Sequence, residues 1–151
     1  DVAPSRGLGD VYKRQLYSLK QQQREVALMI KGIGCDVIEI DRVSKAIARA
    51  SFVERVYSPA EIAYCQSRGK QAAASFAARF AAKEAVLKAL GTGLRGGELK
   101  EIEVLSDALG KPSIRLSGYH LELAEKLGVK QIHLSLTHGR DVAIAYVILE
   151  A

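Results

Sequence analysis

Two acidic residues and a row of cations carry the chemistry that this sequence offers. Over Arg79-Phe-Ala-Ala-Lys-Glu-Ala-Val-Leu-Lys-Ala-Leu-Gly91, residues four apart fall about one turn apart on one side of a helix. That spacing stacks Arg79 over Lys83, and sets Phe80, Glu84 and Lys88 along the neighbouring row. One carboxylate then stands among three cations. A second carboxylate, Asp36, follows an apolar run that begins at Ala27. An Asp leaving a buried strand is costly unless it meets a cation or hydrogen-bond donors. Two carboxylates from separate elements, with Lys and Arg around them, suit a magnesium ion and a polyphosphate. Magnesium takes one or two protein carboxylates and completes its shell with phosphate oxygens and water. The competing reading of Glu84 and Lys88 is a solvated i,i+4 ion pair contributing about 0.2–0.5 kcal/mol. Asp36 tips the balance towards the metal site.

The elements that must position these groups follow from the pattern. Ala27 to Ile40 is rich in β-branched residues and reads as a strand. Gly32 and Gly34 alternate along it and leave one face bare, so another backbone or a ligand can come close. A dinucleotide-binding turn is disfavoured, because no third glycine follows at the required spacing. Asp41 to Val56 reads as one helix, with Val43, Ala46, Ile47 and Ala50 on one face and Arg42, Lys45 and Arg49 on another. Ser58-Pro-Ala-Glu61 is a capping box with Pro at the first helical position. A long alanine-rich helix precedes Gly91, which is placed for a left-handed cap.

Downstream, Gly93-Leu-Arg-Gly-Gly97 reads as a flexible loop. Strands are expected near Ile102 to Leu105 and Ile114 to Leu116, with a turn at Gly110 to Ser113. Gly118 to Leu127 is an amphipathic helix closed by Gly128. Gln131 to Leu136 and Val142 to Leu149 form a hairpin across Thr137-His-Gly-Arg-Asp141. Strands and helices mix without strict alternation, so the fold class is α+β, a small single domain with an antiparallel sheet packed on helices.

Five blocks of the sequence together resemble the holo-[acyl-carrier-protein] synthases, small 4'-phosphopantetheinyl transferases. They are Gly32-Ile-Gly-Cys-Asp-Val-Ile-Glu-Ile-Asp-Arg42, Arg79-Phe-Ala-Ala-Lys-Glu-Ala85, Lys88-Ala-Leu-Gly-Thr-Gly93, Gly110-Lys-Pro112 and Leu134-Ser-Leu-Thr-His138. The resemblance covers about residues 29 to 150. It implies a cytoplasmic homotrimer of fatty acid biosynthesis with active clefts between subunits. It also implies transfer of 4'-phosphopantetheine from coenzyme A to a serine of an apo acyl carrier protein, releasing adenosine 3',5'-bisphosphate. On that basis Asp36 and Glu84 hold magnesium, and Lys88 neutralises or protonates the leaving phosphate. Arg79 and Lys83 contact phosphates, Thr92 and Gly93 line the nucleotide site, and His138 meets the nucleotide's phosphate end or acts as a base. The serine proton goes to a metal-bound water or a carboxylate; the sequence leaves both open. His120 and His133 read as structural, and Tyr119 and Tyr146 as core or interface.

Arg42, Lys45, Arg49 and Arg55, with Phe52 as an apolar anchor, are the candidate docking surface for an acidic carrier protein. Family members often have a basic residue before the matching Phe, where this chain has Ser51.

Length and charge bound the alternatives. A chain of 151 residues suits one core. No apolar run approaches the roughly 18–20 residues of a membrane span. Cys35 and Cys65 lack metal-ligand spacing and read as reduced thiols. The net charge is +5, and residues 1–28 supply two of those charges. The remainder is too modest for a nucleic-acid binder and fits an acidic protein partner as well. Residues 1–28 carry neither an apolar core pattern nor a motif residue. They read as a non-native or disordered extension, or one with a short helix over 15–27, ahead of a domain spanning 29–151.

Overall fold

A computed structural model describes residues 8–151, as two compact units divided between Ile30 and Lys31. Among its described residues the first holds one helix, α1 (Leu8–Met29), longer than the short helix expected there. The rest of the expected extension, residues 1–7, lies outside the described residues.

The second unit is built around β1 (Ile30–Glu39), α2 (Ile40–Ala46), α3 (Ala50–Val56), α4 (Pro59–Gln66) and α5 (Ala72–Leu90). There follow β2 (Ile102–Ser106), β3 (Pro112–Leu116), α6 (Gly118–Lys126), β4 (Gln131–His138) and β5 (Val142–Glu150). One sheet has the order β1-β5-β4, and β2 pairs with β3 as a separate antiparallel hairpin. β4 and β5 are antiparallel, from Gln131 opposite Glu150 to His138 opposite Ala143. The Ile40 amide, just past the end of β1, donates to the Asp141 carbonyl just before the start of β5 (2.9 Å). Those two neighbours therefore also run in opposite directions. The α+β class with antiparallel pairing is the observed architecture.

Helix α5 forms the centre. Ala77, Ala81, Ala82, Ala85 and Val86 are fully or almost fully buried, and Ala143, Ala145, Val147 and Leu149 of β5 face the same core. Small side chains let the helix lie close to the sheet. The approach is closest at β1: a Cβ on Gly34 would stand 1.9 Å from the Ala85 carbonyl oxygen, and one on Gly32 2.0 Å from that of Ala89. Neither position accepts a side chain without moving α5 off the strand. Gly91 ends α5 at φ +77°, the left-handed cap expected.

The capping box forms as expected. Ser58 accepts from the Glu61 amide, and the Glu61 carboxylate accepts from the Ser58 amide. One expectation fails. Asp41 to Val56 is two helices, because the chain turns after Ile47 and Arg49 is extended (φ −97°, ψ 113°). The break takes Ala50 out to solvent, away from the face expected to continue from Val43. It brings Phe52 against Phe80 and Tyr57, with ring centres 6.1 and 6.3 Å apart. Burying that aromatic outweighs the local helix preference of the intervening residues. The β2–β3 turn also falls earlier than expected: Asp107 Oδ1 accepts from the amides of Leu109 and Lys111, so β3 already starts at Pro112. Cys35 and Cys65 are free thiols, and burial pushes that of Cys65 up to about 11.

Candidate active site

Where β1 crosses α5, the bare glycine face of the strand gives way to Asp36 and then Ile38, which share that face. Opposite them, the outward row of α5 carries Phe80, Glu84 and Lys88 at one-turn intervals. Lys88 Nζ donates to Asp36 Oδ1 (2.8 Å) and to the Cys35 carbonyl (2.9 Å). It thus reaches across to β1 instead of back along its own helix to Glu84. The bond to Asp36 raises the Lys88 pKa, so the ammonium stays charged at neutral pH. Glu84 is half-buried; burial raises its carboxyl pKa, the Asp36 charge raises it further, and Lys88 partly opposes both.

Two carboxylates close enough to repel are a fitting seat for a divalent cation, which would turn that repulsion into attraction. Among the described residues no group of three or more His, Cys, Asp and Glu side chains gathers as a metal cluster. An ion at Asp36 and Glu84 would therefore take most of its ligands from phosphate and water, as magnesium does.

The row beside this one behaves differently. Lys83 is fully buried, and its ammonium donates to Glu61 Oε1 (2.7 Å) and to the carbonyls of Leu99 and Ile102. Burial lowers its pKa while the Glu61 charge opposes the shift. All three donors face the protein interior, so the expectation of Lys83 on a phosphate is corrected: it is an internal strut between α4, α5 and β2. Arg79 is buried as well. Its guanidinium lies 4.0 Å from the centre of the Tyr64 ring and donates to Ser106 Oγ (3.2 Å). Neither residue joins Asp36, Glu84 and Lys88. Glu61 is the side chain that sequence reasoning captures only in part: four consecutive residues mark it as a cap, while its second role depends on Lys83, 22 positions away.

Phe80 also begins a cleft of about 430 Å³ lined by Ile38, Arg42, Val43, Lys45, Arg49 and Phe52, among others. Four of the five residues expected to dock an acidic partner meet there. Arg55 is exposed on α3 but is not among the lining residues. Lys45 is engaged by Asp41 one turn away (2.8 Å), with both side chains in solvent. The cleft and the carboxylate pair share both walls, since Ile38 follows Asp36 along β1 and Phe80 precedes Glu84 along α5.

Thr92 and Gly93 lie just past the α5 cap, and Gly93 is left-handed (φ +56°). His138 is the last residue of β4 and exposed, at the strand end instead of within the hairpin loop. Strand β5 separates it from β1. His120 is fully buried, as a structural histidine should be. His133 is half-exposed and pairs with Glu150 on the adjacent strand. Tyr119 and Tyr146 are 40% and 44% exposed, so neither is a core residue of the single chain.

An acidic pair beside a fixed lysine at a strand–helix crossing offers a seat for a divalent cation and a cation for a phosphate. The chain matches the model of the 4'-phosphopantetheinyl transferase superfamily over residues 32–147. It is 51% identical over 123 residues to a holo-[acyl-carrier-protein] synthase of Clostridium acetobutylicum, an alignment covering 81% of this chain and 98% of that one. The holo-[acyl-carrier-protein] synthase of Neisseria meningitidis superposes with a TM-score of 0.73 at 35% identity, covering 82% of this chain and all of that one. The Helicobacter pylori enzyme, solved in complex with coenzyme A, gives a TM-score of 0.68 at 31% identity, over 78% of this chain and 98% of that one. The chain belongs to the holo-[acyl-carrier-protein] synthase family, and is an enzyme of the phosphopantetheinyl transferase class.

Proposed function

We propose that this enzyme transfers 4'-phosphopantetheine from coenzyme A to a serine of an apo acyl carrier protein, with magnesium held by Asp36 and Glu84. The observation that carries this reading is the shared row on α5, where Phe80 of the basic cleft stands one turn from Glu84 and two from Lys88. A carrier protein seated on Arg42, Arg49 and Phe52 delivers its serine along that row to the carboxylate pair. Magnesium, when bound, supplies charge neutralisation on the pyrophosphate.

The serine oxygen forms a bond to the phosphorus bearing the pantetheine arm, the bridging oxygen leaves with adenosine 3',5'-bisphosphate, and the serine proton passes to water or to a carboxylate at the acidic pair. Reactions of this kind are driven by positioning and neutralisation of charge. Lys88 neutralises the leaving phosphate. Its raised pKa favours this over proton donation. Thr92 and Gly93 offer backbone N–H groups to the nucleotide, and His138 contacts its phosphate end. Residues 1–28 stay outside the catalytic domain, in keeping with a core that, among the described residues, draws on no side chain before Ile38. The same reading makes the enzyme a cytoplasmic one of fatty acid biosynthesis. The test is direct: incubate the protein with coenzyme A, magnesium and an apo carrier protein, and weigh the carrier. No gain of the phosphopantetheine mass rejects the proposal.

Arg42→Glu is expected to raise the KM for carrier protein severalfold and leave that for coenzyme A unchanged. The effect should shrink between low and moderate salt, since an attraction of this kind is screened over about 8–10 Å. A loss that falls on coenzyme A instead would place Arg42 at the nucleotide.

The working unit is proposed to be a homotrimer with clefts between subunits. The sheet face turned away from α5 carries Ile33 and Val37 of β1, 58% and 61% exposed, and Ile144, Tyr146 and Ile148 of β5. Such a bare apolar face in a single chain is the kind another copy covers. Light scattering at micromolar concentration should give three times the chain mass. A fully active monomer would remove the intersubunit cleft.

A further inference from the structure

The glycine loop that follows α5 rests on a platform that the reaction itself does not explain. Gly96 and Gly97 are both left-handed (φ +90° and +69°). A Cβ on Gly96 would stand 3.1 Å from the Tyr119 ring. One on Gly97 would stand 2.7 Å from both His120 Cε1 and Glu101 Oε2, and one on Gly118 2.5 Å from Glu101 Oε1. Three glycines thus leave room for one carboxylate, one imidazole and one phenol ring. His120 Nδ1 lies 2.9 Å from Glu101 Oε2, and the ring is fully buried with Nε2 unpartnered. Tyr119 packs edge-on to it, with ring centres 5.5 Å apart.

A leucine at position 120 would fill the space without an orphaned nitrogen, which costs stability when buried. The imidazole adds a fixed direction for Glu101, whose two oxygens brace Gly97 on one side and Gly118 on the other. We infer that His120 and Glu101, with Tyr119, are positioning residues that hold the Gly93–Gly97 loop in its binding form and so set the affinity for coenzyme A. This rests on the reading above in which the start of that loop lines the nucleotide site. A loop already ordered loses less conformational freedom when the nucleotide binds. None of the three side chains bonds to Asp36, Glu84 or Lys88, so the transfer step itself should be untouched.

The experiment compares His120→Ala, Glu101→Leu, Glu101→Gln and Gly97→Ala with the unaltered full chain. The first two and Gly97→Ala should raise the KM for coenzyme A on the order of tenfold while kcat stays within about twofold. Glu101→Gln keeps an acceptor for His120 Nδ1–H and should stay near the parent. A readout independent of activity is tryptic cleavage after Arg95, which should speed up in the same three variants and not in Glu101→Gln. Unchanged KM and unchanged cleavage in folded variants overturn the inference. So does a joint fall of kcat and melting temperature with KM constant, which marks a merely structural pair. If His120→Ala fails to fold, Gly97→Ala decides, since it displaces the loop without opening the core. A parent protein that transfers nothing refutes the proposed function, while the cleavage rates still report on the loop.

Discussion

Glu84→Gln should lower transfer by two or more orders of magnitude while the protein stays as stable as its parent. The substitution keeps the volume and removes the charge that a hard divalent cation requires. Metal charge neutralisation contributes several kcal/mol at the transition state, and each 1.36 kcal/mol is tenfold in rate. The stability side follows from surroundings. Lys88 is paired with Asp36, so among the described residues no ion pair is broken at Glu84. Burial and the Asp36 charge raise the Glu84 pKa above its ordinary 4.5. A carboxyl protonated more readily when folded favours the fold below its unfolded pKa, and that contribution is lost as pH rises through the folded value. In metal-free protein at pH 7, Glu84→Gln should therefore be neutral or slightly stabilising, and the difference should vanish below about pH 4.5. Asp36→Asn should impair transfer similarly, with a double mutant far from additive because both act on one ion. Thermal melts and carrier-mass assays at limiting magnesium check both halves. Wild-type transfer by Glu84→Gln at limiting magnesium would make Glu84 an ordinary surface residue.

What the sequence disclosed was local or chemical. Ser58-Pro-Ala-Glu61 was legible because a capping box needs only four consecutive residues. Gly91 was legible because its neighbours form a long helix and it cannot extend one well. Asp36 and Glu84 stood out by chemical type, and the two glycines before Asp36 foretold a close approach of another backbone or a ligand, which is the α5 backbone. The rotation of α5 was not legible. Spacing by four says that Arg79 and Lys83 share a row, but not whether that row faces core or solvent. On most helices apolar residues mark the buried side, whereas α5 carries alanine on nearly every side and marks none. The partner that draws Lys83 inwards sits on α4, and nothing in local periodicity connects them. The break at Ile47 was hidden for a similar reason: it is set by Phe52 meeting Phe80, a contact 28 residues apart in sequence.

That inward row yields the second large effect, on stability instead of catalysis. Lys83→Met should lower stability by about 3–5 kcal/mol, because it leaves Glu61 as a buried charge without its cation. It also removes the donor to the Leu99 and Ile102 carbonyls. For a domain of this size the melting temperature should fall on the order of 10–20 °C. Glu61 cannot relax into solvent, since Ser58 and Val104 amides also hold its two oxygens. Combining Lys83→Met with Glu61→Gln should restore part of the loss, because no unpaired charge then remains inside. A phosphate-binding lysine predicts the opposite pattern: near-normal melting, a raised KM for coenzyme A, and no rescue from Glu61→Gln. Denaturant melts of the three variants, with KM measured on folded protein, separate the two roles. The strut assignment requires that Lys83→Met, once folded at low temperature, binds coenzyme A like its parent.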